Sequence, residues 1–502
     1  MNTSLPTPAD FRPPPLLLAV FLAALAGGMG WGIRGQYGHE TGAMIAGVLV
    51  SLVLVLLFLP GATALTAARA VALGTIGISF GGSMTYGQTV GLTHDAPLIG
   101  NHAALFWGLL GLGVKGAIWI GFFGVLLGMG LSGRRYRPAD LAIAFWAVLF
   151  LYFLGLYLLN HPYDPANKEL PRIYFSDDWR WESGDLNPRR EKWGALLFAL
   201  IGLIAFARWW RQDHLAFRLA GWGALGGGLG FPLGQCLQAG YQWNRDWFAE
   251  GLPANIAGVT NWWNMMETGF GAIFGAIIAV GLWRNRHLIR LPDLTTPAFS
   301  IRTEITFLLI HVTALVVWNF ASFGAFDVFA DTALFMGAIP LIACLGGRHW
   351  PFLMVLPITL IPIAGKTVRE LGYRVENWIP SHLAWIVYLC LPLIAATTLA
   401  LYFSRSSAAA NPRSAFVRAA LLFTTWVYFA LNWEFFRRPW PWDPFEEWTA
   451  RTPNGILFTI SVVGLTLAAC FYRHRRLTPV DEALEASTTT DSKASAFPDS
   501  SS

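Results

Sequence analysis

A few ionisable and amide side chains stand where an otherwise apolar chain can least accommodate them. Glu40-Thr41-Gly42 and Glu267-Thr268-Gly269 each open a long apolar run, and Asp331-Thr332-Ala333 is a looser copy. A carboxylate at membrane depth can bind a cation, exchange a proton or accept hydrogen bonds from sugar hydroxyls. The same acid in a first helical turn is also favoured by the helix dipole, with Thr as a cap. Arg34 is the charge partner closest to Glu40 in the sequence. Lys115 lies in GLGVKGAIW, between Gly113 and Gly116. A lysine inside an apolar helix is costly unless paired, so an inward-facing Lys115 bound to a carboxylate is expected.

Three glycine-rich stretches close on Gly-Gln: GGMGWGIRGQ from Gly27 to Gln36, GGSMTYGQ from Gly81 to Gln88, and GGGLGFPLGQ from Gly226 to Gln235. Glycine lets helices approach closely or unwind. Unwound backbone in a membrane survives only inside protein or along an aqueous cavity. The functional expectation is three broken helix ends converging on a site, with Gln36, Gln88 and Gln235 lining it. The structural alternative is close helix packing. The recurring unit is a helical hairpin: out, glycine-rich end, polar turn, back in. The longest match suggests a duplication of helices 1–4 as 5–8, in parallel orientation.

His39, His94, His102 and His161 group in the turns, but their spacing is not that of helical metal ligands, and no HExxH occurs. His39 remains open to proton coupling. Cys236, Cys344, Cys390 and Cys470 lie in apolar runs without a CxxC pair and are expected in the core. No metal, cofactor or catalytic residue is assigned. Phosphate-loop, dinucleotide and nucleophile-elbow signatures are absent. No basic run has the character of a nucleic-acid surface. Two connecting loops, YFSDDWRWESGD within 160–192 and NWEFFRRPWPWDPFEEW over 432–448, combine Trp179, Trp181, Trp440, Trp442 and Trp448 with acids. Trp there suits either membrane anchoring or stacking against a sugar.

The elements that must position these residues are helices in lipid. The chain has 502 residues, 55% hydrophobic and 13% charged, with mean hydropathy +0.47. Soluble domains carry about 25% charged residues. Apolar runs long enough to span a bilayer fall at 15–33, 41–60, 70–92, 102–131, 139–159, 193–210, 215–240, 261–283, 303–322, 331–345, 351–365, 381–403, 415–433 and 454–472. The expected fold is an all-α polytopic membrane protein of about fourteen spans. The run from Leu16 is read as a membrane helix, not a cleaved leader. Arg134, Arg135, Arg137, Arg211, Arg284, Arg286, Arg290, Arg405, Arg413, Arg473, Arg475 and Arg476 fall in alternate connections. That places both termini in the cytoplasm of a bacterial cell, with the chain in the inner membrane. The division is a cytoplasmic segment 1–14, an eight-helix unit 15–290 with the repeats, a linker 291–302, a six-helix unit 303–472 and a disordered tail 473–502.

The leading expectation is a secondary transporter for a small polar solute such as a sugar. Its substrate and coupling residues would be drawn from Arg34, Gln36, His39, Glu40, Gln88, Lys115, Gln235, Glu267 and Asp331. The alternative is a membrane enzyme on a lipid-linked sugar or envelope glycan, with His39, Glu40, Asp177 and Asp178 as acids and bases. A structural or assembly role is the third. The expected partners are the bilayer and a small molecule.

Overall fold

The computed structural model describes residues 10–477, except 36, 39, 83, 182–187, 292–296, 321–333, 375–378, 406–413 and 437–443; at 40, 315, 316, 318–320 and 334–336 it describes only the backbone. Every regular element among them is helical. In lipid, a helix satisfies its own backbone donors and acceptors, and the long Leu-, Val-, Ala- and Gly-rich runs take that form.

The N-terminal part comprises α1 (Leu16–Arg34), α2 (Glu40–Phe58), α3 (Ala64–Gly81), the short α4 (Gly87–His94), α5 (His102–Leu131), α6 (Pro138–Asn160), α7 (Trp193–Trp210), α8 (His214–Trp243), the short α9 (Gly251–Gly258) and α10 (Trp262–Arg284). The C-terminal part comprises α11 (Ile301–Phe320), α12 (Leu334–Gly346), α13 (Trp350–Arg374), α14 (Ser381–Arg405), α15 (Ala415–Phe436) and α16 (Thr452–Phe471). Among the described residues, eleven helices are long and apolar enough to cross a membrane: α1, α2 from Thr41, α3, α5, α6, α7, α10, α13, α14, α15 and α16. The expected spans at 215–240, 303–322 and 331–345 fall on α8, α11 and α12, outside that set. The glycines and polar residues of α8 lower its hydropathy, α12 has only 13 residues, and the side chains of α11 are described only in part.

Helices α1, α2, α3, α5, α8 and α10 pack in that order, and α10 returns to α1. This closed ring consists of the three hairpins that carry the Gly-Gln stretches. The α6–α7 hairpin, which lacks the signature, packs beside the ring. Glycine sets two of the closest seams. A Cβ on Gly227 would overlap the Gly116 carbonyl across α5 and α8, and one on Gly271 would overlap the Gly27 carbonyl across α1 and α10. Aromatic rings fill the middle: Trp31 meets Trp119 at 5.0 Å and Phe270 at 4.5 Å, and Phe231 stacks on Phe270 at 4.6 Å. The ring is therefore packed at this level.

α2 is apolar on every side and 94% buried, because α15 and α13 cover the side that faces away from the ring. α6 and α14 are only 22% buried and present apolar side chains outward. The arginine-bearing connections share one face. Hydrogen bonds join them there: Arg12 N to the Arg475 carbonyl at 2.8 Å, Arg290 N to Leu131 at 3.1 Å, and Ala298 N to Gly346 at 2.8 Å. Arg348 reaches the Ser404 carbonyl at 2.7 Å.

Candidate functional site

The second Gly-Gln stretch is a real break in a helix. α3 stops at Gly81 and α4 starts at Gly87, so the expected span over 70–92 is two helices. The first stretch ends α1 at Arg34. The third is not a helix end: α8 continues through Gly226–Gln235 to Trp243 despite Pro232. The glycines of α8 instead seat it against α5 and α10.

At the end of α1, close packing against α10 brings Arg34 to Glu267. Arg34 Nη2 donates to Glu267 Oε1 at 3.1 Å, and both side chains are 2% exposed. The Tyr86 hydroxyl, from the break before α4, donates to the same oxygen at 3.2 Å, as does Trp263 Nε1 at 3.2 Å. Arg34 also donates to the Tyr86 hydroxyl. Its guanidinium carbon lies 4.8 Å from the Trp31 ring centre, 5.2 Å from Tyr86 and 5.5 Å from Trp119. Such a cage favours a cation whose hydration has been stripped away. Asn264 ties α10 to the end of α1 by donating to the Gly32 carbonyl at 2.6 Å. Two donors, Arg34 Nε and Trp31 Nε1, have no hydrogen-bond partner in this cluster.

Glu267 is not the first-turn acid its triplet suggests. α10 starts at Trp262 and is capped by Asn261, whose side chain accepts from Asn264 N. Glu267 stands deeper along the helix, so capping does not account for it. The sequence pairs Arg34 with Glu40; the structure gives Arg34 to Glu267, and the Glu40 side chain lies outside the described residues. Gln36, His39 and Asp331 also lie outside them.

A second buried pair lies on the other side of α4. Lys115 Nζ is 2.6 Å from Glu191 Oε1 and 2.6 Å from Thr89 Oγ1. Lys115 is thus inward-facing and paired, as expected. Its partner is supplied by the 160–192 connection folding back against the bundle. Glu191 accepts from Phe175 N at 2.9 Å and Ser176 Oγ at 3.0 Å, so its second oxygen is also engaged. Trp107 Nε1 fastens the loop at the Tyr174 carbonyl, 2.8 Å away. Burial and the Glu191 carboxylate push the Tyr174 hydroxyl well above its ordinary pKa, so it stays a neutral donor to the Arg189 carbonyl at 2.8 Å.

α4 connects the two pairs. Tyr86 immediately precedes it, and Thr89 lies on it. Gln88 accepts from Arg189 N at 2.9 Å. Gln235 donates to Thr93 Oγ1 at 2.7 Å, while its own carbonyl oxygen is buried without a partner. Trp243 Nε1 holds the Thr93 carbonyl at 2.8 Å. Of the nine residues singled out from sequence, Arg34, Gln88, Lys115, Gln235 and Glu267 therefore converge around one short helix. Sequence reasoning missed Tyr86, Thr89, Trp263 and Glu191. Tyr86 does fall inside the quoted GGSMTYGQ, whereas Glu191 in RREKW has no signal beyond being a lone acid among bases.

The remaining candidates disperse. His94 lies 3.6 Å from Asp95, the His102 ring lies tilted against Trp243 at 5.1 Å, and His161 meets Arg190. Among the described residues no group of His, Cys, Asp or Glu could hold a metal ion. Of the four free cysteines only Cys344 is buried; Cys236, Cys390 and Cys470 lie on the outer surface of the bundle, contrary to the core expectation. Lipid makes an apolar exterior as suitable for them as the core. Asp178 is buried and bound by Arg180 of its own loop, which does not favour an acid–base role. Trp440 and Trp442 lie outside the described residues. Comparison with known protein families, characterised proteins and solved structures finds no match.

Proposed function

We propose that this multi-pass membrane protein is a secondary transporter for a small polar solute, with the α3–α4 break as its moving part and the two buried ion pairs as its coupling charges. The observation that carries this reading is the attachment of both pairs to one short helix after a glycine break. Buried charge within a membrane bundle is expensive and serves function by default. A discontinuous helix with polar groups at the break is the usual way such a bundle binds and releases a solute or ion. Glu267 is the group proposed to exchange its cation: Arg34 holds it when the coupling ion is absent, and a proton or sodium ion releases Arg34 and Tyr86. Lys115 and Glu191 hold the other side of α4 and report its position. The arginine-bearing face is proposed to be cytoplasmic in a bacterial inner membrane, following the positive-inside rule.

The test is uptake into proteoliposomes under an imposed proton or sodium gradient, screened across small polar solutes. Gradient-dependent flux is expected for the wild type and is lost in Glu267→Gln. If no gradient alters the flux of any solute, and Glu267→Gln behaves as wild type in cells, the reading is wrong.

A further inference from the structure

A separate cavity lies on the arginine-bearing face, away from α4. A cavity of 370 Å³ opens between the start of α3 and the α5–α6 connection, lined by Thr66, Arg69, Arg134, Arg135, Tyr136 and Arg137. Four arginines thus line one cavity that has no Asp or Glu in its lining. The carboxylates around it are committed elsewhere. Glu304, which acts electrostatically on Arg69, accepts from the backbone nitrogens of Arg348, His349 and Trp350. Asp213 accepts from Ser132 Oγ at 2.6 Å and Tyr136 OH at 2.7 Å, and caps α8 through Ala216 N at 2.9 Å. Asp140 pairs with Arg211 at 3.0 Å. Arg69 spends one nitrogen on the Gly347 carbonyl at 2.9 Å, while its Nε is buried without a partner. The side chains of Arg134, Arg135 and Arg137 have no ion-pair partner among the described residues and are exposed. Gly133, at φ +68°, makes the tight turn that gathers them, and a Cβ there would crowd the Arg290 backbone. The cavity wall toward the bundle is apolar, made by Leu73, Met129 and Leu345.

Converging guanidinium groups with free N–H donors match the oxygens of a phosphate group. A basic hollow between helices at the membrane surface is where a phospholipid headgroup can enter, with its chains against the apolar wall. We infer that this cavity binds a phosphate anion, and that Arg69 and the Arg134–Arg137 turn are its ligands. The phosphate can come from an anionic lipid or from solution.

The experiment uses the full chain, purified and delipidated in neutral detergent. Saturable binding is measured by native mass spectrometry and by shift in melting temperature, with phosphatidylglycerol, phosphatidylcholine and inorganic phosphate as separate probes. Tighter binding of phosphatidylglycerol than of phosphatidylcholine, without competition by inorganic phosphate, identifies the lipid as the source. Saturable binding of inorganic phosphate that competes with the lipid identifies the free anion. In either case Arg134→Ala/Arg137→Ala weakens binding roughly thirtyfold. Arg473→Ala/Arg476→Ala, which removes the same charge from the same face, leaves it unchanged. Arg69→Lys keeps the charge and the fold but loses the fork, so it lowers affinity without lowering the unliganded melting temperature. Absence of saturable binding to any probe, or equal weakening by the two double variants, overturns the assignment.

Discussion

The carboxylates around α4 and the one at the start of α13 are buried in different ways. In the C-terminal helices, Glu304 on α11 accepts from the backbone nitrogens of Arg348 at 2.9 Å, His349 at 2.7 Å and Trp350 at 3.0 Å. It thereby caps α13, whose first backbone donors have no partner within the helix, and its position is explained by that alone. Glu267, in the N-terminal ring, and Glu191, in the connection folded against it, cap no helix. Glu267 takes Arg34 of α1 and the Tyr86 hydroxyl next to α4, while Glu191 takes Lys115 of α5, which itself donates to Thr89 on α4. One acid fastens a helix end where the chain must turn. The other two pair with cations on either side of a short helix. Burial alone does not say why a carboxylate is there; its partners do.

The largest expected effect comes from unpairing a charge in the ring. Lys115→Met leaves Glu191 buried without its cation and should lower unfolding stability by about 3–5 kcal/mol. Lys115→Met/Glu191→Leu, which removes both charges, should recover most of that loss while abolishing transport. Thermal unfolding by size-exclusion chromatography checks the pair. Recovery of stability without recovery of flux would sharpen the contrast with Glu304. Next in size is Glu304→Gln, which weakens the cap of α13 by about 1–3 kcal/mol and should leave gradient-driven flux intact in the surviving protein. Glu267→Gln unpairs buried Arg34 and should also cost about 3–5 kcal/mol, but it should end flux even in the protein that remains folded. If both variants lose flux in proportion to folded protein, the two carboxylates do not differ in the way described.

A packing change is of comparable size. Gly227→Ala places a methyl against the Gly116 carbonyl and should cost about 1–3 kcal/mol through overpacking. It separates α5 from α8 and so loosens the Lys115 side of α4 more than the Glu267 side. The smallest effect is a pH dependence in the C-terminal half. Burial lowers the His349 pKa below its ordinary 6.5. The neutral ring, 2.8 Å from Ser404, therefore contributes stability that is present above pH 6.5 and lost as the pH falls below it. Melting curves across that range should show a small decline that His349→Gln removes.

Much of this arrangement was legible in the residues. Membrane helices follow from apolar length, and the paired state of Lys115 follows from the cost of its charge. The hairpins that build the ring are the ones that carry Gly-Gln. What could not be read is which glycines break a helix and which serve as contact surface. GGSMTYGQ and GGGLGFPLGQ look alike, yet one interrupts its helix and the other is threaded by α8, because neighbours on two sides use those glycines as a seat. Partner choice was equally hidden. Nothing in the sequence points from Arg34 to Glu267, which the α1–α10 seam brings to it. Glu191 reaches Lys115 only because a long connection folds back into the bundle, and no local pattern encodes such a return.

The central claim is that α4 makes the two ion pairs one unit, and a double-mutant cycle tests it most directly. Unfolding free energies of Glu267→Gln, Glu191→Gln and the combined variant are measured under one set of conditions. The account predicts a coupling energy of about 0.5–3 kcal/mol between acids that share no cation. Additivity within about 0.3–0.5 kcal/mol would show that each pair stands alone and that α4 transmits nothing between them.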